Sequence, residues 1–279
     1  MDYGKLVQFG VFILPDSMQP ARPLELAVLA DELGFDLVGI QDHPYQRRFY
    51  DTWTLLTAIA MRTKQITVFP DVANIQLRPP AILAKSAATL DLLSNGRVQL
   101  GLGAGSASMT AAIKGIGGPG HAAGESVSAL EEAIQVIRLM WSGERSASFD
   151  GKFYQLAGVH PGPAPAHPIG IWLGAYRPRM ISLVGRVADG WVPSFGYLQP
   201  SDLDELNKRI DDEARNAGRD PLAIRRVLNV GEQTAELLVG LTIDHGMDTY
   251  IVSGEDPEAM RRFATEVAPA VREGVAKAR

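Results

Sequence analysis

Eight short apolar runs, each followed by a stretch of helical pattern, constrain this 279-residue chain more than any other feature. The runs predict strands at 7–14, 35–40, 66–72, 98–103, 169–173, 190–193, 224–230 and 249–252. The stretches between predict helices at 23–33, 52–61, 81–93, 125–141, 180–187, 202–217, 235–244 and 257–267. Strands apolar almost throughout are those of a parallel sheet covered on both faces. Eight β–α units in about 250 residues predict a (β/α)8 TIM barrel, closed by right-handed crossovers. An open doubly wound sheet is the alternative the same alternation permits. The rhythm breaks once, after the fourth helix. Residues 142–168 carry a hairpin-like Phe149-Asp150-Gly151-Lys152-Phe153-Tyr154 and the proline-rich HPGPAPAHP. The alternation then resumes at once, so this excursion reads as an insertion in a single domain, 1–279.

Residues 66–105 show the unit most clearly, as strand, loop, helix, strand and glycine-rich loop. Pro79-Pro80 ends the strand and opens a helix at its first turn, and Ser94-Asn95-Gly96 stops that helix with residues suited to positive φ. The next strand runs out through Gly101, Gly103 and Gly105, then Ser106 and Ala107. Glycines beyond a strand's carboxyl end let backbone approach a ligand, and free N–H groups there suit an anion. Gly174-Ala175-Tyr176-Arg177 follows the fifth strand in the same way, and Arg177 is suited to bidentate grip of a phosphate. The second strand delivers Gln41-Asp42-His43-Pro44 to the same end. His43 there reads either as a group that moves a proton near neutral pH or as a packing histidine oriented by Asp42. Tyr45, Phe49 and Tyr50 are placed to shape a substrate pocket. His121, His160, His167 and His245 read as exposed loop residues. The four tryptophans read as core, with Trp191 best placed to act as a ring platform instead. The acidic and basic helix over 202–219 reads as a solvated face.

Composition removes several classes. The chain is 46% hydrophobic and 21% charged, as for a globular protein with a sizeable core. A net charge of −5 argues against nucleic acid as a partner. No run is apolar for long enough to span a membrane, and no signal peptide is visible, so the expected location is cytoplasmic. Zero cysteines exclude disulfides, thiolate catalysis and cysteine-ligated metals. There is no HExxH, GxSxG or P-loop, and the glycine cluster at 101–105 is not a GxGxxG.

Asp42-His43-Pro44, the stretch LRPPAILAKSAATLDLLSNGRVQLGLGAG and GRVADGW at 185–191 together resemble the bacterial-luciferase-like oxidoreductases over nearly the whole chain. The resemblance implies a TIM barrel with one central insertion and either FMN or the deazaflavin coenzyme F420. It implies a non-prolyl cis peptide at Asp71–Val72 that backs the tricyclic ring, ordinarily with a small first residue, from which Asp71 departs. Asn74 is then available to the ring's polar edge, or is an ordinary loop asparagine. Gly105, Ser106, Ala107 and Gly174 to Arg177 hold the phosphate. Asp42 and His43 stand at the cofactor, with His43 catalytic. The resemblance further implies that loops 106–124 and 142–168 form a lid over a small-molecule substrate and that the chain is a homodimer. The activity expected is hydride transfer between F420 and a small organic substrate of unknown identity. An FMN-dependent monooxygenase is the alternative within the family. A cofactor-free barrel hydrolase or lyase, using Asp42, Asp71 and Asp16, lies outside it, as does a non-catalytic binder.

Overall fold

A computed structural model describes all 279 residues. In chain order the elements are β1 (Gln8–Ile13), α1 (Arg22–Glu32), β2 (Leu37–Ile40), α2 (Thr52–Arg62), β3 (Thr67–Pro70), β4 (Ala73–Asn74) and α3 (Pro80–Ser94). Then come β5 (Leu100–Gly103), α4 (Thr110–Gly115), α5 (Ala123–Trp141), β6 (Ala147–Asp150), β7 (Gln155–Val159), β8 (Ile171–Leu173) and α6 (Pro178–Val187). The last are β9 (Gly190–Trp191), α7 (Pro200–Asn216), β10 (Arg225–Asn229), α8 (Ala235–Ile243), β11 (Thr249–Ser253), α9 (Pro257–Arg262) and α10 (Ala268–Ala278).

Nine strands form one parallel sheet in the order β3-β2-β1-β11-β10-β9-β8-β5-β4. Its two ends are halves of one stave, since β3 and β4 are separated only by Asp71 and Val72. Val68 of β3 closes the cylinder by bridging Val98, and β4 pairs on with β5 through Ala73–Leu102 and Asn74–Gly103. The count of eight staves expected from the alternation is therefore met, with the third in two pieces. β6 and β7 form the antiparallel hairpin of the insertion, which follows the fourth long helix, α5.

Local signals account for most boundaries. Asp51 caps α2 by accepting the Thr54 N–H at 2.9 Å, and α3 ends on Asn95 in the left-handed region. Two stretches read as loop or terminus are helical. Residues 107–115 form a 3-10 turn running into α4, and the final helix continues beyond Val267 through one π turn into α10. Pro269 follows directly on that π turn, whose wider bond from the Ala268 N–H to Phe263 O interrupts the regular ladder where the proline's missing N–H falls.

The core has two layers. Leu37, Phe69, Trp172, Val192, Val227 and Ile251 fill the cylinder, with Phe12 and Val72 packed above them, and Phe69 meets Trp172 edge to face at 5.4 Å. Side chains of opposite parity, such as Val11, Val38, Leu100 and Leu228, face the helices and form the larger outer core. Each such residue contributes about 1.5–3 kcal/mol by leaving water, so the plug alone makes the barrel a solid object. Helix α7 is not simply a solvated face. Asn207 and Asp211 are buried against the wholly buried Arg226, which donates to Asn207 Oδ1 at 2.6 Å and Asp211 Oδ1 at 2.8 Å. That network seals the amino end of the barrel and leaves the carboxyl end for chemistry.

Candidate active site

The carboxyl ends of the staves converge on a mouth whose floor is the Asp71–Val72 bulge. The peptide between these two residues is cis, at the position the resemblance implied and in spite of the aspartate. Val72 lies between Gly101, Gly103 and Gly174. A Cβ at Gly103 would stand 3.0 Å from Val72 Cγ2, one at Gly174 would stand 3.1 Å from it, and one at Gly101 would collide with the Pro70 carbonyl. The glycines on β5 and after β8 are thus the space that the bulge occupies.

Beside the bulge, Asp42 is wholly buried, and its Oδ2 lies 2.7 Å from Arg78 Nη1. The other arm of the Arg78 fork reaches Asp51 Oδ2 at 2.5 Å, on the cap of α2. Asp42 Oδ2 also accepts the Asn74 N–H at 3.3 Å, so one carboxylate joins the ends of the second and third staves. Burial pushes the Asp42 carboxyl above the usual range, against the pull of Arg78. Its second oxygen, Oδ1, has no partner, and neither has Asn74 Nδ2. One buried acceptor and one buried donor therefore stand unpaired at adjacent strand ends. Leaving such a group unmet costs about 1–3 kcal/mol, and a ligand supplying both would recover it.

His43 is half-buried, and its Nδ1 lies 2.6 Å from the Tyr45 hydroxyl. Burial lowers the His43 pKa, opposed by the charge of Asp42, and raises that of the Tyr45 phenol. At neutral pH the ring is uncharged and the phenol keeps its proton. When the phenol donates to Nδ1, Nε2 carries the proton; when Nδ1–H donates to the phenol, Nε2 is a base. The pair can pass a proton either way.

Gln76 holds the loops around this corner. It takes Asn74 Oδ1 through its N–H at 3.0 Å, gives Nε2 to Ala104 O at 2.8 Å and Ser126 Oγ at 3.1 Å, and accepts the His121 N–H at 2.7 Å. Gly105 has φ +82°, and a Cβ there would sit 2.7 Å from Gln76 Nε2, so only glycine suits this position. Ser106 and Ala107 follow it, exposed, with Ser106 Oγ 2.7 Å from Ser108 Oγ. Across β8, Arg177 is the exposed N-cap residue of α6, its carbonyl accepts the Ile181 N–H and its guanidinium makes no hydrogen bond, whereas Arg179 is engaged by Gly124 O and Ser128 Oγ. Tyr176 is half-buried, burial raises its phenol pKa, and its ring is 5.1 Å from that of Tyr197. Ala175 is 1% exposed, its methyl in the core and its carbonyl accepting Trp191 Nε1 at 2.9 Å. Trp191 is itself fully buried, so it anchors this loop from behind and offers no ring platform.

The histidines divide. His121 packs edge-on against Phe153 at 5.3 Å, so the hairpin turn reaches the loop beside the mouth. That turn is fastened to α5 by Glu132, which accepts the N–H groups of Lys152, Phe153 and Tyr154. His167 sets Nδ1 2.9 Å from the wholly buried Asp91 and pins the end of the insertion, contrary to the exposed role expected of it. His245 pairs with Asp204 at 2.8 Å, and His160 is exposed. Asp16 is bound to Arg48 at 2.7 Å, so Asp16, Asp42 and Asp71 form no joint carboxylate pair of the kind a hydrolase would need. The residues that spacing did not reveal are Arg78, Gln76 and Asn229. Only Arg78, next to the helix-opening prolines, carried any local signal.

An eight-staved barrel with a bulged third stave and an insertion after its fourth long helix is the architecture of a luciferase-like oxidoreductase. Residues 1–238 match the family model of the luciferase-like monooxygenases, and the chain belongs to that family. It is 29% identical over 231 residues to an F420-dependent glucose-6-phosphate dehydrogenase of Amycolatopsis mediterranei, covering 81% of this chain and 68% of that one. An F420-dependent secondary alcohol dehydrogenase, solved with an F420-acetone adduct, superposes with a TM-score of 0.83 at 20% identity, covering 96% of this chain and 99% of that one. A type II Baeyer–Villiger monooxygenase of Pseudomonas putida in complex with FMN superposes at 0.74 and 18% identity, covering 95% and 98%.

Proposed function

We propose that this chain transfers a hydride between coenzyme F420 and a small organic substrate at the mouth of the barrel. The observation that carries the reading is the unpaired couple at the mouth, Asp42 Oδ1 as acceptor and Asn74 Nδ2 as donor, beside His43. A flavin-type ring has a polar edge bearing both an N–H and carbonyl oxygens, which such a couple satisfies. A curated relative that covers 81% of this chain bears an F420-dependent name, and that favours the deazaflavin.

Once bound, the ring supplies the hydride chemistry, and the protein supplies position, dryness and charge. Val72 and the apolar plug beneath it support the ring's back and keep water from it. His43 Nε2 takes a proton from the substrate or returns it, with Tyr45 fixing the tautomer from Nδ1. Backbone N–H groups of Gly105 to Ala107, the amino end of α6 and the Arg177 guanidinium hold the phosphate tail. The hairpin turn at Phe153, the His121 loop and the aromatic rim of Tyr45, Tyr176 and Tyr197 bound the substrate space.

Titrating the purified protein with F420 and with FMN tests this. Saturable change in F420 fluorescence, followed by turnover of the reduced or oxidised coenzyme, is expected. Binding of FMN alone, with oxygen consumed on reduction, makes the protein an FMN-dependent monooxygenase instead. No binding of either removes the reading.

A further inference from the structure

One carboxyl at the mouth has no part in that scheme. Asp71 ends the first half of the third stave, its N–H bonded to Ile40 O at 2.8 Å. Its side chain crosses the inside of the cylinder to the seventh stave, where Asn229 Nδ2 donates to Oδ1 at 3.4 Å. The residue keeps some surface toward the mouth, but Oδ2 is out of solvent without a partner, and Asn229 Oδ1 is in the same state. Two unmet acceptors within one joined pair suit an acid and not its anion, because a proton on Oδ2 converts one of them into a donor.

The surroundings bring no counter-charge. Gly39 of β2 stands against the Asp71 Cβ, Phe69 precedes it on the inner face, and Trp172 of β8 packs on Phe69. Asn229 of β10 is neutral. Tyr176, after β8, is the titratable group that shares its field, and burial keeps that phenol protonated. No lysine, arginine or histidine acts on the carboxyl, and burial pushes its pKa up to about 7.

We propose that Asp71 is a specificity-determining residue for the charge of the ring seated on the bulge it belongs to. As a neutral acid it admits a ring bearing negative charge, and as a carboxylate it discriminates against one. The inference rests on reading the mouth as the seat of a flavin-type ring. Reduced flavins and deazaflavins readily give up a proton from the pyrimidine part, so the charge of the ring is a property this floor can sense. In a site shielded from water, like charges repel far more strongly than in bulk.

Two measurements test it. The first uses the protein without any dye, carboxyl-13C-labelled on aspartate and titrated by NMR. A resonance with a midpoint near neutrality is expected, absent from Asp71→Asn and from Asp71→Ser. A midpoint for Asp71 in the ordinary carboxylate range overturns the proposal. The second compares binding of oxidised and chemically reduced F420 at about pH 6 and about pH 8, below and above the Asp71 midpoint. In the natural protein the preference for the reduced form is expected to fall across that interval by about ten-fold or more beyond the change, due to the dye's own ionisation, that Asp71→Asn shows. An equal change in both proteins overturns the proposal. Failure of either dye to bind at both pH values removes the ring seat itself, an outcome the NMR titration keeps separate from an error about Asp71.

Discussion

Arg78 Nη1 lies 2.7 Å from Asp42 Oδ2, and the other arm of the same guanidinium holds the cap residue of α2, Asp51, at 2.5 Å. One planar fork therefore spans the end of the second stave and the start of the helix that follows it. Because Asp42 Oδ2 also accepts the Asn74 N–H, the fork sets where His43 and Asn74 stand relative to each other. Arg78→Met leaves a wholly buried carboxylate without its partner. It should cost about 3–5 kcal/mol in urea denaturation, and Arg78→Lys, which keeps charge but not the fork, should lose less.

His43 should divide rate from binding. His43→Ala is expected to lower hydride transfer by about 10²–10⁴-fold in stopped-flow while changing coenzyme affinity little. Equal losses in both would make His43 a binding residue. The pH profile gives a second check. Burial lowers the His43 pKa, so the acid limb of substrate oxidation should lie below the ordinary histidine value of about 6.5. The rate should rise with pH through that limb, because Nε2 accepts a proton only when neutral.

Asp71 should make the stability of the fold depend on pH. Its folded pKa, about 7, is above the unfolded value, so between the two the native state holds one more proton than the unfolded chain. Its contribution is full in acid, below the unfolded value, and is lost as pH rises toward neutrality. By linkage the loss amounts to roughly 4 kcal/mol at most. Comparing urea midpoints of natural protein and Asp71→Asn across that interval should show a steeper loss toward neutrality in the first, the slope left in the second being that of the other shifted groups such as Asp42 and His43.

Arg177 is the one arginine of the α6 amino end that no protein group engages. Arg177→Ala should weaken F420 binding about ten-fold and reduce its salt dependence, leaving the thermal midpoint unchanged. Unaltered affinity would move the phosphate to other groups. Gly105→Ala should instead lose both stability and affinity, since its Cβ would meet the Gln76 amide at 2.7 Å with φ at +82°.

Much of this molecule is legible in the order of its residues. Continuous apolar runs and the 3.6 periodicity between them found every stave and the long helices as far as Val267, because a strand covered on both faces is apolar throughout and a packed helix needs one apolar face. Asp51, Asn95 and Pro80 marked helix ends through bonds made within a few residues. The family motifs located the bulge at Asp71–Val72. The π turn that prolongs the last helix, and the burial of Asn207 and Asp211 on a helix of charged residues, left no such local trace.

By itself the sequence determined which segments are staves, which loops gather at one end, and which residue types those loops carry. Only the closed cylinder decided which of them meet. Asp71 and Asn229 are 158 positions apart and touch because the third and seventh staves face each other across the axis. Trp191 became an anchor for Ala175, and Asp42 acquired Arg78, by the same closure. A hydrogen bond between distant positions depends on the register of every stave between them, and that register is a property of the whole barrel, not of any local pattern.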